Sequence, residues 1–138
     1  LHAGLTPVGD CRPEQLAALA LRPDLALVGG CVWKGGRLRN AGLYPDVTGL
    51  PFPLQRGAAP ELLPSLCWGQ LLLTRRALAS SWCCMAVRRK DFLESGGFDP
   101  ASGALAGADY GLRREGQGLF TLISPWGQWV LENGAGGV

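Results

Sequence analysis

The run from Met85 to Trp126 constrains the fold of this chain more than any other part of the sequence. It begins with an apolar strand and the basic pair Arg88-Arg89, and a short helix then leads to Gly96-Gly97-Phe98-Asp99. A loop of small residues, the stretch Asp109-Tyr110-Gly111-Leu112-Arg113 and a strand that closes at Pro125 complete the run. Because strands alternate with short helices here, the sequence predicts an α/β domain.

Composition sets the size and class of the protein. The 138 residues are 47% hydrophobic, which is enough for one core, so we expect a single domain over residues 1–138. The 13 basic and 11 acidic side chains are scattered and leave a formal charge of +2, which does not predict a nucleic-acid partner or a membrane-surface helix. We expect Arg75-Arg76 and Arg88-Arg89-Lys90 to be solvated ends of elements rather than binding patches. No apolar run approaches the length of a membrane span.

The cysteines and the chain ends indicate a compartment and a context. The five cysteines have no C-x-x-C spacing and only one histidine, His2, accompanies them, so the sequence does not predict a structural zinc site. The odd count predicts reduced thiols in a cytoplasmic setting. Because Cys83 and Cys84 are adjacent on a predicted strand, we expect at least one of them to be buried. Leu1 and the glycine-rich end predict a fragment whose amino-terminal half is missing.

Glycines and prolines divide the chain into elements. Gly29-Gly30 predicts a bulge or the close approach of another backbone, and Gly35-Gly36 predicts a two-residue hairpin turn. Residues 44–64 carry five prolines and predict a long irregular loop, whereas Leu66–Leu78 fits either a strand or a short helix. The predicted helices are Gln15–Leu21 with a start at Asp10–Glu14, Arg89–Glu94 with a stop at Gly96 or Gly97, and Asp109–Gln117. The predicted strands are Leu25–Trp33, Leu38–Leu43, Trp82–Val87, Leu119–Ile123 and Trp126–Glu132.

The order of residues in the Met85–Pro125 run resembles the acceptor half of family 2 glycosyltransferases. In that family an apolar strand with Arg-Arg is followed by Gly-Gly-Phe-Asp and by an acidic pair before a Leu-x-x-Arg helix. The strand Val28-Gly29-Gly30, its glycine turn and Ala41-Gly42 are similar to the family as well. The resemblance implies the carboxyl-terminal part of a GT-A fold, with a mixed sheet and short flanking helices. It also implies sugar transfer from a nucleotide-sugar donor, held with Mn²⁺ or Mg²⁺, to a carbohydrate-type acceptor.

The chain departs from the family where the chemistry would be. A gapless comparison anchored on Asp-Tyr-x-Leu-Arg puts Gly107 at the position of the catalytic carboxylate. The same comparison puts His2 and Gly4 at the two carboxylates of the metal motif, and a late histidine would fall at Leu131 or Glu132. Glycine offers no ligand, and magnesium prefers hard oxygens, so we expect His2 to be an ordinary residue and no metal site to form.

The resemblance nevertheless implies roles for a few side chains. Asp109 would be the base if any activity survives, and the alternative is an aspartate that caps the start of a helix. Asp99, Trp82 and Arg113 would lie on the acceptor side, with Trp82 partly filling the pocket. For Asp99 the alternative is a turn aspartate that bonds its own backbone. The function expected is therefore a glycosyltransferase-like domain with impaired transfer, and the alternative is a non-catalytic scaffold module of the same shape.

Overall fold

The structure, a computed structural model, describes residues 4–132 and, within them, the side chains of all but Cys67 and Trp68. The described residues form a mixed α/β arrangement of strands with a few short helices. The strands are β1 (Leu5–Pro7), β2 (Leu25–Lys34), β3 (Arg37–Asn40), β4 (Leu43–Pro45), β5 (Pro51–Pro53), β6 (Arg75–Ala77), β7 (Met85–Ala86) and β8 (Phe120–Leu131). The α-helices are α1 (Pro13–Ala20), α2 (Arg89–Glu94) and α3 (Ala106–Glu115), and 3₁₀ turns cover Pro60–Leu62, Leu66–Leu72 and Pro100–Leu105.

Strands β2 and β8 form the centre of a mixed sheet. They run parallel to each other, and each is flanked by shorter antiparallel strands. Strands β3 and β7 pair with the two halves of β2, while β1 and β6 pair with the two halves of β8. Strands β4 and β5 form a separate two-stranded hairpin. The mixed sheet with short helices agrees with the expected fold class.

Strand β2 is buried along most of its length, as its continuous apolar sequence predicts. The two glycines inside it produce both features that the sequence left as alternatives, a bulge and the close approach of another backbone. The pairing with β8 shifts register between Gly29 and Cys31, which is a bulge. A Cβ atom on Gly30 would lie 2.7 Å from the carbonyl oxygen of Gly127, so this position also permits a close backbone approach.

Two apolar clusters cover the two faces of the sheet. The first surrounds Leu16 of α1, and its other buried members are Cys11, Ala20, Leu25, Val28, Val32, Cys83, Cys84, Leu122, Trp129 and Leu131. The second surrounds Ile123 of β8, and its other buried members are Cys31, Leu38, Ala41, Leu63, Leu71 and Ala77. The thiols of Cys11, Cys31, Cys83 and Cys84 are free and buried, which confirms and extends the expectation for the adjacent pair.

Most of the predicted elements are confirmed, with shifted ends. Helix α1 begins after Arg12 rather than near Asp10, and the side chain of Gln15 accepts from the Arg12 amide at 3.2 Å. Glycines 35 and 36 have φ values of 57° and 71°, as the predicted hairpin turn requires. Helix α2 has the predicted bounds, and both Gly96 and Gly97 follow it with positive φ. The undecided segment 66–78 contains a 3₁₀ turn and then β6.

Other predictions were wrong in detail. Only Met85–Ala86 pairs within the predicted strand Trp82–Val87, because residues 82 and 83 form a turn. The two carboxyl-terminal strands are one strand, β8, that continues through Pro125. The irregular segment 44–64 includes the β4–β5 hairpin. Among the described residues, no helix combines the length and the apolar character needed to cross a membrane.

The basic clusters are less solvated than predicted. Arg75 is half-buried and donates to the carbonyl oxygen of Ala41 and to the hydroxyl of Tyr44. Arg88 is half-buried and donates to the carbonyl oxygens of Arg22 and Leu25. These two guanidinium groups join segments that are distant in sequence, while Arg76, Arg89 and Lys90 are exposed as expected.

Candidate functional site

Helix α3 carries Asp109 and Arg113 one turn apart. Arg113 Nε donates to Asp109 Oδ2 at 2.9 Å, and both side chains are about one-third exposed. The residue before the helix is Leu105, so Asp109 lies in the first turn and does not cap the helix. The capping interpretation is therefore wrong, because the helix begins three residues earlier than its polar residues indicated. An acid placed four residues before an arginine is a favourable pair on a helix surface.

The guanidinium of Arg113 also holds the turn after α2. Its Nη1 donates to the carbonyl oxygen of Ser95 at 3.1 Å, and its Nη2 donates to that of Gly97 at 2.7 Å. Carbonyl groups at the end of a helix have no partner within that helix, so one arginine fork satisfies groups that would otherwise need water. The acceptor-binding role of Arg113 stays a prediction, and the contacts described for it are structural.

Three aromatic rings pack beneath this arginine. Phe92 of α2 lies edge-on to Phe98 with ring centres 5.1 Å apart, and Tyr110 of α3 lies 5.5 Å from Phe92. Tyr110 is fully buried, and Arg113 lies over its ring at 5.7 Å. The Gly-Gly-Phe-Asp turn and the Asp-Tyr-x-Leu-Arg helix are therefore one packed unit, joined by rings and by a guanidinium.

Asp99 is exposed and precedes the 3₁₀ turn Pro100–Leu105. Its Oδ1 accepts from the amide of Ala101 at 2.9 Å. The alternative interpretation of Asp99, a turn aspartate that bonds nearby backbone, is therefore confirmed. A contact between Asp99 and an acceptor stays a prediction.

Gly107 lies where a side chain would collide with backbone. A Cβ atom built on it would lie 2.7 Å from the amide nitrogen of Trp82 and closer still to the carbonyl oxygen of Ser80. Both obstacles are main-chain atoms, which cannot rotate away as a side chain can. The missing Cβ lets the first turn of α3 contact the segment 80–82 directly, and this contact positions Trp82.

Trp82 lies at a pocket between that segment and the β4–β5 hairpin. The cavity measures about 200 Å³. The residues that line it are Asn40, Leu43, Pro51, Pro53, Arg56, Ser81, Trp82, Ala104 and Leu105. The proline-rich segment and Trp82 thus border the same cavity. The acceptor-side role of Trp82 stays a prediction. Asp99, Asp109 and Arg113 are not among the lining residues.

The sequence did not single out Asn40, Ser81 or Arg56 as site residues. Asn40 is buried, and its Oδ1 accepts from the Gly42 amide at 2.9 Å, which fixes the bend between β3 and β4. Asn before Ala-Gly was a usable signal, because asparagine bonds its own backbone in such bends. Arg56 had no local signal, since the folding of the loop brings it to the pocket. No carboxylate is among the residues that line this pocket. The lining therefore does not supply an Asp or Glu side chain as a general base.

Gly4, which the resemblance places in the metal motif, lies beside Glu132, one of the two positions for the late histidine. The amide of Glu132 donates to the carbonyl oxygen of Gly4 at 3.1 Å, and Leu5 pairs with Leu131. His2 lies outside the described residues. The Glu132 carboxylate accepts from the Thr6 hydroxyl at 2.8 Å. Within residues 4–132, no three His, Cys, Asp or Glu side chains come together as a metal ion would require.

The thiols near Trp82 are protected. Burial raises the pKa of Cys84 to about 12, and the nearby Cys83 adds to the effect. Burial also raises the pKa of Cys83, although the Ser81 hydroxyl, 2.9 Å from its sulfur, acts in the opposite direction. A thiol with a raised pKa is a poor nucleophile and a poor metal ligand at neutral pH. These cysteines therefore serve as small apolar residues beside the pocket.

Comparison with protein-family models, with curated proteins and with solved structures finds no match for this chain.

Proposed function

We propose that this chain is a family 2 glycosyltransferase-like domain of the GT-A type that binds a carbohydrate-type ligand beside Trp82 and does not itself transfer sugar. The proposal rests on the order of residues in the sequence and on the way the folded chain uses them. The Gly-Gly-Phe-Asp turn and the Asp-Tyr-x-Leu-Arg helix form one packed unit through Arg113 and Tyr110. Gly4 and Glu132, 128 residues apart in the chain, are joined by a hydrogen bond, and the resemblance assigns them to the metal motif and to the late histidine.

The observation that carries the loss of transfer is the packing of Gly107. This residue takes the position at which the resemblance expects the catalytic carboxylate, and its missing side chain is replaced by the backbone of residues 80–82. A carboxylate cannot be restored there unless that segment moves. The glycine at position 107 is thus required by the packing of residues 80–82, which include Trp82.

Asp109 is the remaining candidate for a base in this segment. Its carboxylate already accepts a hydrogen bond from Arg113, and it is not among the residues that line the pocket. A general base must come within hydrogen-bond reach of the proton it removes, either directly or through one water molecule. The geometry therefore favours a structural role for Asp109.

The chemistry of the pocket suits a sugar. The lining includes the aromatic side chain of Trp82 and the polar side chains of Asn40 and Ser81. Binding sites for small polar ligands combine apolar walls with a few well-placed polar groups. Arg56 at the rim adds a positive charge, which would favour a ligand that carries an acidic group.

Assays for sugar transfer from nucleotide-sugars in the presence of Mn²⁺ test the absence of transfer chemistry. We expect no product. Measurable transfer that disappears in Asp109→Asn would overturn the proposal, because it would identify a working base.

Titration with a panel of neutral and acidic saccharides, followed by tryptophan fluorescence, tests the binding role. Trp82→Leu should abolish a saturable change. Trp126→Leu is the matched control, since Trp126 is 72% exposed and does not line the pocket. If no saccharide binds, the carbohydrate role is wrong, and the scaffold alternative is favoured.

A further inference from the structure

A second pocket, at the far end of β2, has a basic lining. Its cavity measures about 160 Å³. The lining residues are Lys34, Arg37, Leu38, Arg39, Arg56 and Gly57. Four of these six carry a positive charge and none carries a negative one, in a chain whose formal net charge is only +2. We call this set the basic pocket.

The fold brings these cations together from two segments. Lys34, Arg37 and Arg39 belong to the β2–β3 hairpin, and Lys34 lies directly opposite Arg37 across the turn. Arg56 comes from the loop after β5. That loop is fastened to β3 by two hydrogen bonds, from the Gly57 amide to the Leu38 carbonyl at 2.7 Å and from the Leu38 amide to the Ala58 carbonyl at 2.9 Å.

The loop adopts an uncommon backbone conformation to reach this place. Gln55 has a φ of 53° and Gly57 a φ of 89°, so both residues on either side of Arg56 are left-handed. A residue other than glycine in this region is uncommon, and its cost is accepted only where the surrounding structure holds it. The strain at Gln55 is the local consequence of fastening Arg56 beside the hairpin.

The charges in the basic pocket are not balanced by acids in its lining. Like charges directly opposite each other on paired strands destabilise a hairpin, as Lys34 and Arg37 must. Arg37 and Arg56 are exposed, whereas Lys34 and Arg39 are half-buried. The guanidinium groups of Arg37 and Arg56 can therefore be reached from solvent.

We propose that the basic pocket binds a phosphate or diphosphate group. Arginine presents a planar fork of N–H groups that matches the oxygens of phosphate, and lysine adds a compact charge. The volume is many times the 10–15 Å³ that about one water molecule needs, so the cavity has room for a ligand larger than water. The set is a compact concave cluster rather than a stripe, which distinguishes it from a nucleic-acid surface.

This site is separate from the metal and base positions of the resemblance and does not depend on the proposed function. Only Arg56 is shared with the pocket beside Trp82. The phosphate can belong to a soluble molecule or to a lipid headgroup, since both present the same oxygens. The experiment below distinguishes these two sources.

Titration of the full chain with inorganic phosphate and with pyrophosphate, followed by calorimetry and by thermal unfolding, tests the proposal. We expect saturable binding, tighter for pyrophosphate, that weakens as salt is added. A parallel arm measures sedimentation with phosphatidylcholine vesicles that contain or lack phosphatidic acid. Binding to the soluble anions assigns a soluble ligand, and binding only to the phosphatidic acid vesicles assigns a lipid headgroup; either result supports the basic pocket if the variants below respond.

The variants are Arg37→Gln, Arg56→Gln and the pair together. Each single change should weaken pyrophosphate binding about fivefold or more, and the pair should weaken it further. Arg89→Gln is the control with the same loss of charge. Arg89 is exposed on α2. The residue before it, Arg88, donates to the carbonyl oxygen of Leu25, at the end of β2 opposite to Lys34. At the usual rise of a strand, Leu25 and Lys34 are about 30 Å apart.

A folding check keeps the test decisive. Because removing one charge relieves repulsion, Arg37→Gln and Arg56→Gln without ligand should unfold at the same or a higher temperature than the parent chain in low salt. They should also lose the rise in unfolding temperature that pyrophosphate produces in the parent. The proposal is overturned if neither the anions nor the vesicles bind, or if Arg89→Gln weakens binding as much as the pocket variants do.

Discussion

Arg113 donates to the carbonyl oxygen of Gly97 at 2.7 Å, and this contact joins helix α3 to the turn that ends helix α2. The same guanidinium reaches Ser95 in that turn and Asp109 on its own helix. One side chain therefore connects the two sequence motifs that most resemble a glycosyltransferase. The contact explains how these two motifs pack as one unit.

Replacing Arg113 by lysine should lower the free energy of unfolding by about 2 kcal/mol, because lysine keeps the charge but cannot reach the turn carbonyls and Asp109 with one fork. Chemical denaturation measures the change. Arg89→Lys is the control, since Arg89 is exposed on the surface, and it should change the stability by less than about 0.5 kcal/mol. Equal stability of Arg113→Lys and the parent would show that the turn does not depend on the fork.

Gly107→Ala should destabilise the fold by about 1–3 kcal/mol, because the added methyl group meets backbone atoms of residues 80–82. The helix propensity of alanine opposes this loss by about 1 kcal/mol, so the clash must exceed that gain. Gly116→Ala is the matched control at the end of the same helix, where the nearest atoms lie 3.5 Å away. The control should leave the stability unchanged or slightly raised. A Gly107→Ala variant as stable as Gly116→Ala would contradict the packing described here.

The sequence predicted the fold best where local chemistry decides the structure. The glycine pair at 35–36, the apolar run of β2 and the bounds of α2 each follow from nearby residues, and all are confirmed. The sequence predicted the elements poorly where pairing between distant strands decides their bounds. Residues 82–84 are apolar and resemble a strand, yet they form a turn and a bend, and only Met85–Ala86 pairs with β2. Gly107 packs on the backbone of residues 80–82, just before this turn. Likewise, Pro125 indicated a break, but β8 continues through it.

The candidate site was predicted in part for a similar reason. Asn40 lies before Ala-Gly, a local pattern that indicates its bend, whereas Arg56 reaches both pockets because Gly57 and Ala58 bond to Leu38 of β3. Those bonds join segments about 20 residues apart, and a single sequence carries no local pattern for them. Lys34, Arg37 and Arg39 are close together in the sequence, but only folding adds Arg56 to them.

Asp46 closes the turn of the β4–β5 hairpin, and its loss should loosen that hairpin alone. Its Oδ1 accepts from the Thr48 amide at 2.7 Å, from the Thr48 hydroxyl at 2.6 Å and from the Leu50 amide at 3.0 Å. The hydrogen bond from the Thr48 side chain, with the backbone amides, lowers the pKa of Asp46. Because the pKa is lowered in the folded chain, the ionised carboxylate stabilises the turn at pH values above the ordinary pKa near 3.8. This stabilisation is lost as the pH falls below that value.

Asp46→Ala should therefore speed hydrogen exchange at the amides of Thr48 and Leu50 and leave the global free energy of unfolding nearly unchanged. Asp10→Ala, a change at another exposed aspartate, should leave exchange in the hairpin unaltered. Unchanged exchange in Asp46→Ala would show that the backbone bonds between Asp46 and Leu50 hold the turn without the carboxylate.

The buried thiol of Cys84 should make the stability fall in alkaline solution. Its pKa is about 12 in the folded chain, chiefly because of burial, against 9.0 for an ordinary thiol. Since the unfolded chain releases this proton first, the stabilising contribution is complete below pH 9 and is lost as the pH rises toward 12. Guanidinium denaturation across this range measures the loss. Cys84→Ala should lower the stability at neutral pH by about 1 kcal/mol through the lost packing, yet its stability should fall less steeply above pH 9. The difference between the two slopes reports the contribution of the Cys84 thiol, and identical slopes would mean that this thiol ionises as easily folded as unfolded.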